Sequence, residues 1–233
     1  MTAIKNSVAL VTGGSRGVGK ALVEALYERG AAKVYATARD PRTVTHPDAV
    51  PLALEVTDPA AVDAVAAKAS DVTILINNAG LATRGRFLTA PLDDIRAEFD
   101  VNFYGPLLLT RAFAPVIGAN GGGRILNVHS ALSWFADGST YAATKAAIWA
   151  QTNALRLELQ PRGIGVTGLH MGYVDTDMTT GIDGPKSTPE FIASAALDGI
   201  EADAHEVLAD DVSRWIRGAL SGDLESVYQQ LAS

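Results

Sequence analysis

The 233-residue chain reads as an α/β protein built on a parallel sheet with helices on both faces. Three observations predict this. Short apolar runs alternate with longer segments of helical spacing, the pattern of strands joined by helical crossovers. The runs are apolar at consecutive positions, as in strands buried on both faces. The first run ends at a glycine-rich turn that opens directly into a helix. No linker, repeat or compositional break divides the chain, so residues 1–233 read as one domain.

Val8–Val11 is the first strand, stopping at Thr12-Gly13-Gly14. Gly17 to Arg29 carries Ala21, Leu22, Ala25 and Leu26 at helical spacing, and Gly30 ends it. Lys33–Thr37 and Val50–Leu54 are the next strands. A helix follows from Pro59, a residue tolerated in a first turn, to about Lys68. Val72–Ile76 is the fourth strand and runs into Asn77-Asn78-Ala79-Gly80. Leu92–Val101 and Phe103–Ile117 are helices, Gly121–Gly123 a loop, and Arg124–Val128 a strand. Ser139–Gln160 is a long helix, Ile164–Leu169 a strand and Thr188–Gly199 a helix. Glu206–Leu208 is a short seventh strand before a helix over Asp210–Leu220.

Composition narrows the function. With 19 Lys and Arg against 26 Asp and Glu, the net charge is −7, which repels a phosphodiester backbone and argues against nucleic acid. The chain has no cysteine, which excludes disulfides and thiolate chemistry and suits a reducing cytoplasm. No run approaches the roughly 20 apolar residues of a membrane span, and the first ten residues lack a signal-peptide core. The four histidines, His46, His129, His170 and His205, have no ligand spacing, so no metal is expected.

Three features carry chemistry. In Thr12-Gly13-Gly14-Ser15-Arg16-Gly17-Val18-Gly19 the glycines let the backbone turn tightly and approach a ligand, and the helix start favours a pyrophosphate. Tyr141 and Lys145, four apart, share a helix face. A phenol titrates near pH 10, and a nearby ammonium favours its ionised form, so the pair can exchange a proton with a carbonyl or alcohol oxygen. Ser130 ends a strand at the edge where open parallel sheets bind ligands, as does Asn77-Asn78-Ala79-Gly80.

From about Val8 to Met178 the chain resembles the short-chain dehydrogenase/reductases. The matching residues are Thr12, Gly13, Gly17 and Gly19, then Asn77 to Gly80, Asn102, Ser130, Tyr141 and Lys145. The resemblance implies a doubly wound Rossmann sheet of order 3-2-1-4-5-6-7 and hydride transfer between a nicotinamide and a carbonyl/alcohol pair. It implies Tyr141 as the acid-base and Lys145 as holder of the nicotinamide ribose and modulator of Tyr141. It implies Ser130 on the substrate carbonyl and Asn102 supporting a water that links Lys145 to solvent. Asp58 resembles the adenine-contacting aspartate, and Asn78, Ala79 and Gly80 would line the ribose. Gly172, Val174 and Thr176 would lie along the nicotinamide, the last two at its carboxamide. Leu81, Leu132, Trp134, Phe135, Tyr173 and Met178 fall near the reaction centre and imply an apolar pocket. Residues 179–189 read as a short substrate lid. The helices over Phe103–Ile117 and Ser139–Gln160 imply a homo-oligomer, dimer or tetramer.

The chain also departs from the family. Ser130 precedes Tyr141 by eleven positions, two fewer than usual, which leaves Ser133 as a rival. His129 stands where a small residue is common, and Met171 replaces the usual proline before Gly172. The family's frequent C-terminal Asp-Gly-Gly is absent. Where NAD-preferring relatives carry an acid after the second strand, this chain has Ala38 followed by Arg39, with Arg16 in the glycine turn. Two guanidiniums without a carboxylate suit a 2′-phosphate, hence NADP(H), with Asp40 the competing reading. Arg84 and Arg86 read as a solvated loop or as a greeting for an acidic substrate. The leading function is an NADPH-dependent carbonyl reductase of hydrophobic ketones or aldehydes. The alternatives are an NAD-dependent alcohol dehydrogenase and a noncatalytic dinucleotide-binding regulator.

Overall fold

The computed structural model describes residues 2–228. Seven parallel strands form one sheet: β1 (Val8–Thr12), β2 (Lys33–Ala38), β3 (Val50–Ala53), β4 (Ile74–Asn77), β5 (Gly123–Val128), β6 (Ile164–His170) and β7 (Glu206–Leu208). Their order is β3-β2-β1-β4-β5-β6-β7, as the resemblance implied. The order reverses beside β1, which opens the crevice between β1 and β4 at the carboxyl edge. Pro51 lies on the edge strand β3, where a missing ladder donor is tolerated.

Strand residues alternate between two cores. Ala9 and Val11 of β1 face one side with Leu22 and Leu26 of α1 (Gly17–Glu28) and Ile192 and Leu197 of α6 (Pro189–Glu201). Leu10 faces the other with Val62 of α2 (Pro59–Lys68), Phe113 and Ile117 of α4 (Gly105–Ala119) and Leu155 of α5 (Thr140–Leu159). Period-2 alternation between two apolar layers is what makes these strands apolar at every position.

Helix boundaries follow local chemistry. Ser139 caps α5 through Ala142 N, and Asp210 caps α7 (Asp211–Ala219) through Ser213 N. The two helices expected between residues 92 and 117 are one continuous element. α3 (Leu92–Phe99) passes into α4 through a single π turn over Asp100–Tyr104. Nothing in the residue pattern announces that turn, from which the Asn102 side chain makes tertiary hydrogen bonds. A short helix, α8 (Leu224–Val227), lies beyond the expected elements. Tyr228 after it stacks on Phe135, with ring centroids 5.1 Å apart.

Candidate active site

The glycine turn is fixed by close packing. Gly13 and Gly17 have φ of +64° and +52°, which L side chains rarely adopt. A Cβ at Gly19 would lie 2.1 Å from the Gly13 carbonyl oxygen and 2.5 Å from Asn78 Nδ2. Thr12 Oγ1 accepts from Asn78 N (2.9 Å) and Ala79 N (3.0 Å), and Asn78 Nδ2 donates to Thr12 O (2.8 Å). The turn after β1 and the turn after β4 are thereby one unit. Arg16 precedes α1 without capping it, and the first turn of α1 holds no acidic residue. Its amides and helix dipole thus face the crevice ready for an anion. This cradle fits a dinucleotide pyrophosphate.

At the end of β2, Ala38 offers no carboxylate, and Arg39 after it is exposed, making no ion pair with the described residues. Asp40, the competing ribose partner, is engaged by Arg42. It accepts from Arg42 Nε and Nη2 at 2.9 Å each and from Arg42 N at 3.0 Å. That pairing holds the Asp40 carboxyl below its ordinary pKa, and like other exposed pairs it contributes little to holding Asp40 in place. Arg16 meets Asp177 at 3.0 Å, both side chains about three-quarters exposed. A bridge so exposed contributes roughly 0–1 kcal/mol, which a phosphate readily outcompetes. Asp58 caps α2 by accepting from Ala60 N at 2.9 Å. That is a helix-end role the sequence reading did not assign it.

On α5, Lys145 Nζ donates to Val128 O at 2.9 Å and lies 5.4 Å from the Tyr141 ring centroid. Burial pushes the Lys145 ammonium down to about 8. Tyr141 departs in sign from expectation. Burial raises its phenol well above the ordinary value, and the carboxylate of Glu98 adds to the rise. Asn102 is buried in the π turn. It donates to Leu81 O (2.8 Å) and Thr144 Oγ1 (2.9 Å) and accepts from Leu81 N (2.9 Å), tying the loop after β4 to α5. Both polar atoms of its side chain are thereby engaged with protein.

Ser130 caps a 3₁₀ turn over Ala131–Ser133, accepting from Leu132 N at 3.1 Å, and stays partly exposed at the carboxyl edge. Ser133, its rival, is buried inside that turn. Among the pocket candidates, Tyr173 and Met178 are exposed, while Leu81, Leu132 and Phe135 are half-buried. Trp134 corrects the expectation. It is buried with Ala131 and Ile216 and stacks on His170 at 3.8 Å, behind Ser130 and away from an open wall.

Arg84 and Arg86 are exposed, as the solvated-loop reading has it, and their guanidiniums bond backbone carbonyls nearby in space. Arg84 donates to Met178 O (2.9 Å) and Thr180 O (2.8 Å), and Arg86 to Asp137 O (3.0 Å). Residues 179–189 form a loop that returns to pair Ser187 with Tyr173 and Asp175. Sequence reasoning missed Glu98. It is fully buried, accepting from Thr83 N (2.6 Å), Thr83 Oγ1 (2.8 Å) and Thr140 Oγ1 (2.6 Å), one residue before Tyr141. Among the described residues there is no metal-type cluster, and no helix is long and apolar enough to cross a membrane.

A parallel sheet with this strand order, a glycine turn at its reversal point and a Tyr–Lys pair across the crevice define the dinucleotide-type α/β oxidoreductases. The chain belongs to the short chain dehydrogenase family, whose model matches residues 7–186. A short chain dehydrogenase from Burkholderia cenocepacia, solved in complex with NADP, superposes with a TM-score of 0.93 at 36% identity, covering 100% of both chains. A ketoacyl reductase of Nostoc is 31% identical over 90% of this chain and 80% of its own. The 3-oxoacyl-acyl-carrier-protein reductase of Escherichia coli is 30% identical over 92% and 94%.

Proposed function

We propose that this chain is an NADP(H)-dependent carbonyl reductase acting on a hydrophobic ketone or aldehyde. The observation that carries the reading is the Tyr141–Lys145 pair on α5, with Lys145 bonded to the Val128 carbonyl at the end of β5, two residues before Ser130. When bound, the nicotinamide supplies the hydride. Gly13, Ser15, Gly17, Val18 and Gly19 would hold the pyrophosphate, and Asn78, Ala79, Gly80 and Lys145 the ribose. Gly172, Val174 and Thr176 would meet the nicotinamide, and Asp58 the adenine. Arg39 and Arg16 would neutralise the 2′-phosphate. The NADP-bound relative and the absence of a carboxylate at Ala38 support this cofactor preference.

The residues act in a definite order. Ser130 donates a hydrogen bond to the substrate carbonyl oxygen and polarises it. Tyr141 delivers a proton to that oxygen as negative charge develops there. Its raised pKa keeps the phenol protonated at neutral pH before substrate arrives, and makes release of that proton depend on stabilisation of the phenolate. Lys145 stabilises the phenolate left behind. Asn102 holds the Leu81 backbone against α5, so loop and helix keep their spacing. Tyr173, Met178, Leu81, Leu132 and Phe135 supply apolar contact. The Nostoc and Escherichia coli relatives, both keto reductases by name, support the reaction class.

A homo-oligomer in the cytoplasm completes the reading, joined along α4 and α5, near which Tyr104 and Leu157 are exposed. Light scattering tests the assembly. The activity is tested by loss of absorbance at 340 nm with NADPH or NADH and a panel of alkyl, aryl and 3-oxoacyl carbonyls. Turnover with NADPH on apolar ketones or aldehydes is expected. A preference for NADH, or no turnover on any carbonyl, overturns the proposal.

A further inference from the structure

Behind Ser130 lies a file of buried polar side chains that the reaction does not consume. Asn77, Asn127, Thr152, His129 and His170 are all at most 3% exposed. Asn77 Nδ2 donates to Asn127 Oδ1 (2.8 Å), and Asn127 Nδ2 donates to Thr152 Oγ1 (2.8 Å). Thr152 Oγ1 lies 2.9 Å from His129 Nε2, and His129 Nδ1 lies 3.0 Å from His170 Nε2. His170 Nδ1 lies 3.2 Å from the carbonyl oxygen of Ser130.

The direction of every bond follows from the last one. A carbonyl only accepts, so His170 carries its proton on Nδ1. A neutral ring then accepts at Nε2, so His129 donates from Nδ1. His129 Nε2 must accept in turn, and the Thr152 hydroxyl donates to it. That hydroxyl is free to donate because it already accepts from Asn127. Both rings are held neutral. Burial pushes His170 down to about 4, partly offset by the Ser130 carbonyl and Glu206, and pushes His129 well below its ordinary value, helped by His170 and Lys145. The Trp134 indole stacked on His170, 16° from parallel, fixes the ring plane.

We propose that His129 and His170 are positioning residues that hold Ser130 in its working orientation from behind the sheet. The proposal rests on the reading of Ser130 as the group that meets the substrate carbonyl. His170 and Ser133 N, at 3.0 Å, occupy both lone pairs of the Ser130 carbonyl oxygen, so its peptide plane is set from two sides. Lys145 grips the Val128 carbonyl two residues earlier. The end of β5 is therefore clamped at alternate carbonyls, on either side of the inward-pointing His129. Serine and lysine then keep a fixed separation without touching each other. A pair of buried imidazoles is costly unless fully bonded, and here each ring nitrogen has a partner.

The test is a cycle of turnover measurements on wild type, His170→Phe, Ser130→Ala and the double variant. Phenylalanine keeps the ring and its stack on Trp134 but removes both hydrogen bonds. The expected result is a kcat lowered about three- to tenfold, the equivalent of one lost hydrogen bond, with KM and the NADPH Kd unchanged. In the Ser130→Ala background the same change should have no further effect, because its only route to the chemistry is gone. Multiplying effects, or a His170→Phe enzyme with wild-type kcat, overturn the positioning role alone. A fully active Ser130→Ala enzyme removes the reading of Ser130 and this proposal with it. If His170→Phe fails to fold, Thr152→Val cuts the file further back and enters the same cycle. Nitrogen-15 spectra of histidine-labelled wild type give an independent readout. Two neutral rings protonated at Nδ1 are expected at pH 7, and either ring protonated at Nε2 refutes the direction of the chain.

Discussion

Between β1 and β4 the crevice is lined by main chain; between β4 and β6 it is backed by buried polar side chains. The first half presents glycines, amides and the uncapped start of α1, and its strands are apolar into both cores. The second half carries Asn77, Asn127, Thr152, His129 and His170 inside the protein, bonded in one file. A backbone-built surface suits a ligand whose phosphates look alike from one molecule to the next. A side-chain-built surface suits proton transfer, where the identity of one atom decides the outcome. The contrast teaches where substitution is tolerated. The first half resists added volume, and the second resists lost hydrogen bonds.

The sharpest way to separate the halves is Tyr141→Phe. It removes the proton donor and leaves the main-chain half intact, so turnover should fall about 10²–10⁴-fold. NADPH affinity, read by fluorescence titration, should be preserved. Arg39→Ala probes the opposite side. A charged hydrogen bond contributes about 1.5–3 kcal/mol, so KM for NADPH should rise roughly 10–100-fold while NADH kinetics barely change. Gly19→Ala adds volume where a Cβ meets the Gly13 carbonyl at 2.1 Å. Overpacking costs about 1–3 kcal/mol, and it should appear as a lower Tm together with weaker NADPH binding.

Acidity provides two milder probes. Lys145 is held near 8 by burial, so its charge is present below that pH and lost above it. The rate of carbonyl reduction should therefore decline as pH rises through about 8, visible in a kcat/KM profile. His170 is depressed from 6.5 to about 4, so the unfolded chain takes up its proton first as pH falls. The stability it contributes is complete above about 6.5 and is lost between there and about 4. The loss amounts to roughly 3 kcal/mol at about 1.36 kcal/mol per unit. Urea midpoints across that range should fall in wild type and fall less in His170→Phe.

The sheet was legible because burial on two faces writes itself into consecutive apolar residues. The expected strand Val72–Ile76 is displaced to Ile74–Asn77, since hydrophobicity marks the buried run and not where the ladder begins. Tyr141, Lys145, Ser130 and Asn102 were legible as a family pattern. Glu98 was not, since its partners Thr83 and Thr140 lie 15 and 42 positions away and only the fold assembles them. Trp134 was misjudged because an aromatic beside a catalytic loop can turn inward as easily as outward. The histidine pair did leave a signal. Each residue directly follows an expected strand, Arg124–Val128 or Ile164–Leu169, and those strands are neighbours in the implied order. Equivalent positions on adjacent parallel strands meet side by side.

The π turn at Asp100–Tyr104 also makes the long helix sensitive to residue count in a way it is not sensitive to residue type. The turn accommodates one residue more than an α-helix of the same rise. Deleting one residue there would close the turn into a regular α-helix with α3 and α4 still in phase, so the change is local. Glu98 would keep Thr83 and Thr140. Asn102, inside the turn, would lose the position from which it reaches Leu81 and Thr144. Substitutions along the exposed side of α3 leave that geometry alone. Shortening the chain by a single codon between Asp100 and Tyr104 would loosen the tie between the loop after β4 and α5 while the helix itself survives.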